Sequence, residues 1–190
     1  MPSHAGMAWR LHIQLQQIAY RADRGVSMSG IITGLFHVAI KTADLSRTRR
    51  FYCDILGLAE VARPDFGYPG AWIAVPTPVG EAIIHIYAGG PALGPAGKVE
   101  QGSAAIDHIS LSAVGYHDFI ARFRRHGLDW REFIVPNTTY WQLFVYDPSG
   151  VQLELTFDGR AETGPLPDMS EGRRYVAGTG FFNPVAYAFA

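Results

Sequence analysis

His37, His85, His108 and Glu154 are the side chains of this sequence whose types and spacing point to chemistry. His37 and His108 lie 71 residues apart and His85 and Glu154 lie 69 apart, so a pair of donors recurs at nearly one interval. Imidazole and carboxylate are the usual protein ligands of divalent transition metals. Each donor sits in a short run that alternates apolar and polar residues: Phe36, Val38 and Ile40 flank His37, Ile84 and Ile86 flank His85, Ile109 and Leu111 follow His108, and Leu153 and Leu155 flank Glu154. A strand sends successive side chains to opposite faces, which places each donor on the face its aliphatic neighbours avoid. A lone histidine in a strand is ordinarily a hydrogen-bonded structural residue. Four donors at a repeated spacing favour a site instead, and the expectation is that they converge on one concave face.

The elements that must position them repeat as well. The first half reads as a strand near 34–40, a helix near 44–56 and strands near 57–62, 70–75 and 82–87. Asp44 is the N-cap candidate for LSRTRRFYCDIL, Leu45, Phe51, Tyr52, Ile55 and Leu56 gather on one side, and Gly57 stops the helix. The second half gives a strand at 105–112, a helix at 116–126 ending at Gly127, and strands near 129–135, 140–146 and 151–157. Both halves therefore read βαβββ. The prediction is an α+β fold of two tandem βαβββ modules, forming a curled, cup-shaped mixed sheet with helices on the outer face. The Gly- and Pro-rich AGGPALGPAGKVEQGSA joins the halves, and DPSG at 147–150 makes a tight turn before the last strand.

Bulk properties exclude several classes. The 190 residues, 48% hydrophobic, are enough for one well-cored domain, and a net charge of -1 offers neither a nucleic-acid stripe nor an acidic tail. No apolar stretch reaches a membrane span, and the start lacks the apolar core of a secretory signal. The single Cys53 cannot form an internal disulfide, which favours a reducing, cytoplasmic setting; it reads as packing in the first helix. The expected partner is a small molecule, with no nucleic acid and no membrane. His4, His12, His117 and His126 lack the strand placement of the other three histidines.

The motifs FHVAIKTADLSRTRRFYCDILGL, AIDHISLSA and LFVYDPSGVQLEL, in that order and spacing, resemble the vicinal oxygen chelate superfamily, which includes glyoxalase I, fosfomycin-resistance proteins, bleomycin-resistance-type binders and extradiol dioxygenases. The resemblance divides the chain into an N-terminal extension at 1–32, a domain at 33–158 and a C-terminal tail at 159–190. Module 1 of the domain is 33–88, a linker follows at 89–103, and module 2 is 104–158. In this family the first and last strands of each module supply metal ligands. The resemblance thus implies His37, His108 and Glu154 as ligands with His85 in the fourth position, and it implies a homodimer. Three imidazoles and one carboxylate suit Fe, Ni, Zn, Mn or Co rather than Mg or Ca.

The resemblance also ranks the chemistries. Extradiol dioxygenases carry a His and a Tyr before the last ligand; here the Tyr position falls on Phe144 and the His position on Val135, Pro136 or Asn137, none of which transfers a proton. The leading expectation is a metal-dependent lyase or isomerase of the glyoxalase type, with Glu154 and His85 as its catalytic residues. An Fe(II) dioxygenase is second, and a non-catalytic binder of a drug or metabolite third. Trp72, Tyr140, Gln142 and Phe144 are the expected substrate-lining residues, and Tyr68 and Trp141 are further aromatic candidates. The aromatic C-terminal stretch RRYVAGTGFFNPVAYAFA is expected to pack on a subunit or to lid the cup.

Overall fold

The structure, a computed structural model, describes residues 36–77 and 80–188, so the proposed extension at 1–32 lies outside the described residues. Its first module opens with β1 (His37–Lys41) and α1 (Leu45–Arg50), continues through a π-helical turn (Phe51–Ile55), and closes with β2 (Ala59–Val61), β3 (Gly70–Thr77) and β4 (Gly80–Tyr87). The second repeats the order as β5 (Ile109–Ser112), α2 (Tyr116–Arg125), β6 (Trp130–Ile134), β7 (Tyr140–Tyr146) and β8 (Gln152–Asp158). Each module folds into a four-stranded mixed sheet, β1-β4-β3-β2 and β5-β8-β7-β6. The first strand of each module runs parallel to the last, and the remaining pairs are antiparallel. The two tandem βαβββ modules are thus present as read from the sequence.

Local chemistry explains the boundaries. Asp44 Oδ1 accepts from the Arg47 amide at 2.9 Å and caps α1. Gly57 and Gly127 end the two helices at φ +76° and +66°, a region that favours glycine. The first helix departs from the continuous α-helix expected over 44–56. From Phe51 onward it widens, with the Leu56 amide donating to the Phe51 carbonyl at 3.0 Å. The wider turn lets the consecutive Phe51 and Tyr52 both enter the core, where neither is exposed at all.

One apolar core joins the modules. Tyr116 and Phe119 of α2 pack edge-to-face on Phe157, at 5.2 and 5.8 Å, so helix and sheet share the face opposite the donors. Across the modules, the Tyr52 hydroxyl donates to Asp147 Oδ2 at 3.1 Å and Arg122 Nη1 donates to the Ile55 carbonyl at 3.1 Å. The DPSG turn is closed internally, because Asp147 Oδ1 accepts from the amides of Ser149 and Val151, both at 2.8 Å.

The tail after β8 packs on module 2. The Glu132 amide donates to the Arg173 carbonyl and the Tyr175 amide to the Glu132 carbonyl, both at 2.9 Å, which lays residues 173–175 alongside β6. The buried Glu132 carboxylate collects Tyr116 Oη at 2.7 Å, Trp130 Nε1 at 3.0 Å and the Asp168 amide at 2.8 Å. A short 3-10 turn (Pro184–Tyr187) brings Tyr187 against Phe51, 6.1 Å between rings.

Candidate functional site

Strand pairing decides which donors meet. In module 1, β1 lies parallel to β4 with Ala39 opposite His85, so His37, two residues from Ala39, shares the face of His85. The two imidazoles are 6.3 Å apart, centroid to centroid. Trp72 pairs directly with His85 across β3 and β4, and their rings are 5.6 Å apart. Tyr87, at 4.3 Å, and Phe66, at 5.6 Å, complete an aromatic surround. His85 is only 6% exposed, and its Nε2 is buried without a hydrogen-bond partner. Burial first, then the Arg63 charge and His37, push its pKa below the ordinary histidine value. These effects favour the neutral imidazole, the form that can ligate a metal.

In module 2, Glu154 pairs with Ser110 on one side and Phe144 on the other. Glu154 is 7% exposed. Its Oε1 accepts from Ser110 Oγ at 2.5 Å and Thr156 Oγ1 at 2.7 Å, leaving Oε2 turned toward His108 Nε2 at 3.4 Å. His108 precedes β5 and is set by its neighbour: Nδ1 lies 2.7 Å from Asp107 Oδ1. With Nδ1 engaged by Asp107, Nε2 is the ring nitrogen that faces the Glu154 side. Asp107 also accepts from Tyr175 Oη at 3.1 Å and Gln152 Nε2 at 3.3 Å. The His108 hydrogen bond, followed by that of Tyr175, holds the Asp107 carboxyl below the usual carboxylate range.

Among the described residues no three His, Cys, Asp or Glu side chains gather closely enough to hold one metal ion. The predicted donors come together as two pairs, one per module, and not as a set of four on one face. Each pair is fixed by the parallel pairing of first and last strands inside its own sheet, whereas the placement of the sheets is fixed by the helices and shared core behind them. His37 nevertheless faces module 2, since a groove between the sheets is lined by His37 and Ile83 on one side and Ile109 and Ser110 on the other.

The remaining predicted residues divide by strand parity. Tyr140, Gln142 and Phe144 share the donor-bearing face of β7, and Tyr140 is half exposed at its end. Trp141 does not line that face. It points to the helix side, 8% exposed and 5.4 Å from the ring of Tyr116. Phe144 is 1% exposed because Tyr175 lies flat on it, with ring centroids 3.6 Å apart and planes 6° from parallel. The tail thus reaches the donor face of module 2 directly. Sequence reasoning passed over Asp107, Ser110, Thr156 and Tyr175. The first three were findable, since Ser110 and Thr156 stand two residues beyond His108 and Glu154 and Asp107 adjoins a donor. Tyr175 lies outside the repeat, within the aromatic C-terminal stretch expected to pack on a subunit or to lid the cup, but nothing in its spacing tied it to a donor.

With this geometry in view, one family model matches the chain. The profile described as Glyoxalase/Bleomycin resistance protein/Dioxygenase superfamily matches residues 34–155, and the chain belongs to that superfamily. Among solved structures, a glyoxalase/dioxygenase from Nostoc punctiforme is similar at 22% identity and TM-score 0.52, covering 70% of this chain and 96% of that one. A lactoylglutathione lyase from Agrobacterium tumefaciens is similar at 18% identity and TM-score 0.51, covering 69% and 98%. A fosfomycin resistance protein, FosX, from Listeria monocytogenes has 18% identity and TM-score 0.50, covering 67% and 94%. These likenesses establish the fold. No curated protein matches the chain at a significant level.

Proposed function

We propose that this chain is a metal-dependent enzyme of the glyoxalase type, a lyase or isomerase acting on a small oxygen-rich molecule. The proposed ligands of its divalent metal are His37, His85, His108 and Glu154, with the domain at 33–158 carrying the site and residues 1–32 and 159–190 added to it. The observation that carries the reading is the prepared state of the donors. His85 Nε2 is buried and unpartnered, and His108 Nε2 is turned toward a buried carboxylate by an Asp107 clamp on Nδ1. A buried polar atom without a partner is rare and calls for one. The imidazole and carboxylate set fits Fe, Ni, Zn, Mn or Co.

A bound divalent ion would supply Lewis-acid stabilisation of negative charge on two neighbouring substrate oxygens. The protein supplies the rest. Ser110 and Thr156 hold Glu154 Oε1, so Oε2 is the oxygen able to take and return a proton next to a substrate carbonyl. His85 holds the other side of the reacting centre in an aromatic, water-poor wall that strengthens electrostatic interactions. Because one chain presents the donors as two pairs, the homodimer reading assigns each complete site one pair from each subunit.

Metal analysis of purified protein tests this. Wild type is expected to retain a stoichiometric divalent ion, and His37→Ala and Glu154→Ala to lose it. His85→Ala is expected to lower affinity about ten-fold or more. Full retention of metal in Glu154→Ala would sink the site. The Fe(II) dioxygenase reading stands second, because Phe144 cannot transfer a proton; oxygen uptake with Fe(II) on a catechol panel, against turnover of methylglyoxal hemithioacetal with Ni(II) or Zn(II), separates the two. A drug- or metabolite-binding protein without catalysis would turn over neither.

A further inference from the structure

Buried polar atoms without a partner are concentrated in one place. Among the described residues five such side-chain atoms occur: Nε and Nη2 of Arg63, Nε1 of Trp72, Nε2 of His85 and Oγ of Ser149. All but the last belong to a patch around the ring of Phe66, which lies 4.7 Å from Arg63 Cζ, 6.2 Å from the Trp72 ring and 5.6 Å from that of His85. The Arg63 and Trp72 atoms are donors only, so nothing but an acceptor can satisfy them.

Arg63 is held in position for one. Its Nη1 donates to the Tyr68 carbonyl at 3.2 Å, and its Cζ stands 4.7 Å from the rings of both Phe66 and Tyr68. A β-carbon on Gly70 would come within 3.2 Å of Cζ and Nε, so the absence of one there lets the guanidinium lie against β3. These contacts leave free the Nε/Nη2 edge, whose parallel N–H groups match the two oxygens of a carboxylate. Among the described residues no carboxylate occupies it. Arg63 has no ion pair among the described residues, and Asp65 turns its Oδ1 to the Gly67 amide. The Phe66 and Tyr68 rings flank the guanidinium, with Trp72 next to Phe66 and Tyr87 next to Tyr68. One guanidinium among aromatic rings suits a planar, singly charged group better than a doubly charged tetrahedral one, whose second charge would be desolvated without compensation.

From this arrangement we infer that Arg63 and Trp72 form a carboxylate-binding subsite beside His85, and that the substrate is an organic carboxylate with its carboxyl group on the Arg63 edge. Its remaining oxygens then face His85. Phe66, 44% exposed on the loop before β3, is the ring that moves aside to admit it. The substrate assignment rests on the metal-enzyme reading above; the binding of a carboxylate does not.

The test is calorimetric titration of the purified full chain with benzoate, its neutral isostere benzamide, and inorganic phosphate, with Mn²⁺ binding measured separately by equilibrium dialysis. Benzoate is expected to bind about ten-fold or more tighter than benzamide, the scale of a charge-assisted bidentate pair. Arg63→Gln should bring that ratio close to one, and Trp72→Phe, which keeps a ring but removes an N–H, should weaken benzoate several-fold and spare benzamide. Equal binding of the two ligands by wild type would overturn the inference, as would a preference surviving in Arg63→Gln at an unchanged melting temperature. Phosphate binding more tightly than benzoate would overturn the carboxylate assignment. If Arg63→Gln does not fold, Trp72→Phe decides, and undiminished benzoate affinity there overturns the subsite. Loss of Mn²⁺ binding with the benzoate preference intact would remove the metal reading and leave the subsite standing.

Discussion

At the scale of single residues, the preparation of His108 depends on a neighbour that the donor pattern did not reveal. Asp107 is half exposed, yet it receives His108 Nδ1, Tyr175 Oη and Gln152 Nε2, and this fixes which imidazole nitrogen is available. Replacing such an orienting carboxylate typically lowers metal affinity about 10- to 100-fold. Asp107→Asn is expected to do so here, measured as the dissociation constant of the purified chain for Zn²⁺, while leaving the melting temperature of the metal-free protein nearly unchanged. Equal affinity in the variant would show that His108 needs no orienting partner. His37, His85, His108 and Glu154 were legible because type, alternation and repeat spacing coincide. Arg63 was not legible as a site residue, because its meaning lies in hydrogen bonds it does not make.

At the scale of elements, most strands and helices were legible to within about two residues, since period-two alternation and glycine stops are local signals, but β5 begins at Ile109 and not at 105, which leaves His108 just ahead of it. The π-helical turn was not legible, because it answers to what Phe51 and Tyr52 pack against. Its consequence is electrostatic. Tyr52 reaches Asp147, whose carboxyl burial raises from 3.8 to about 6 despite the amides of Val151 and Ser149 and the Tyr52 hydroxyl. The folded chain thus holds that proton more tightly than the unfolded one does. Asp147 contributes stability fully below its unfolded value and loses that contribution as pH rises through about 6, a change of about 2 to 3 kcal/mol. Denaturant unfolding between about pH 4 and pH 7 should show this decline in wild type, and Asp147→Asn should remove it. The Glu132 carboxylate works differently, as the acceptor of three buried or half-buried donors. Glu132→Ala strands all three and is expected to lower stability by about 3 kcal/mol or more, read as a drop in denaturation midpoint.

At the scale of the whole molecule, the two modules are alike in topology and unlike in what covers them, and that difference follows from sequence outside the repeat. The pairing of donors as two separate halves makes a definite prediction. If complete sites form between subunits, mixing His37→Ala with Glu154→Ala chains should restore about one intact site per heterodimer, seen as recovered metal stoichiometry in the mixture and in neither variant alone. No recovery at any mixing ratio would overturn the shared-site reading. The tail alongside β6 has a further consequence. A sheet's last strand ordinarily offers a row of open amides and carbonyls on which another chain can template itself. In module 2 the chain has answered that row with its own residues 173–175, and in module 1 the corresponding margin is only the three residues of β2. Shortening the protein from its C-terminus would therefore cost more than the stack on Phe144: it would open a five-residue ribbon to self-association, so that solubility is written into the last part of the sequence.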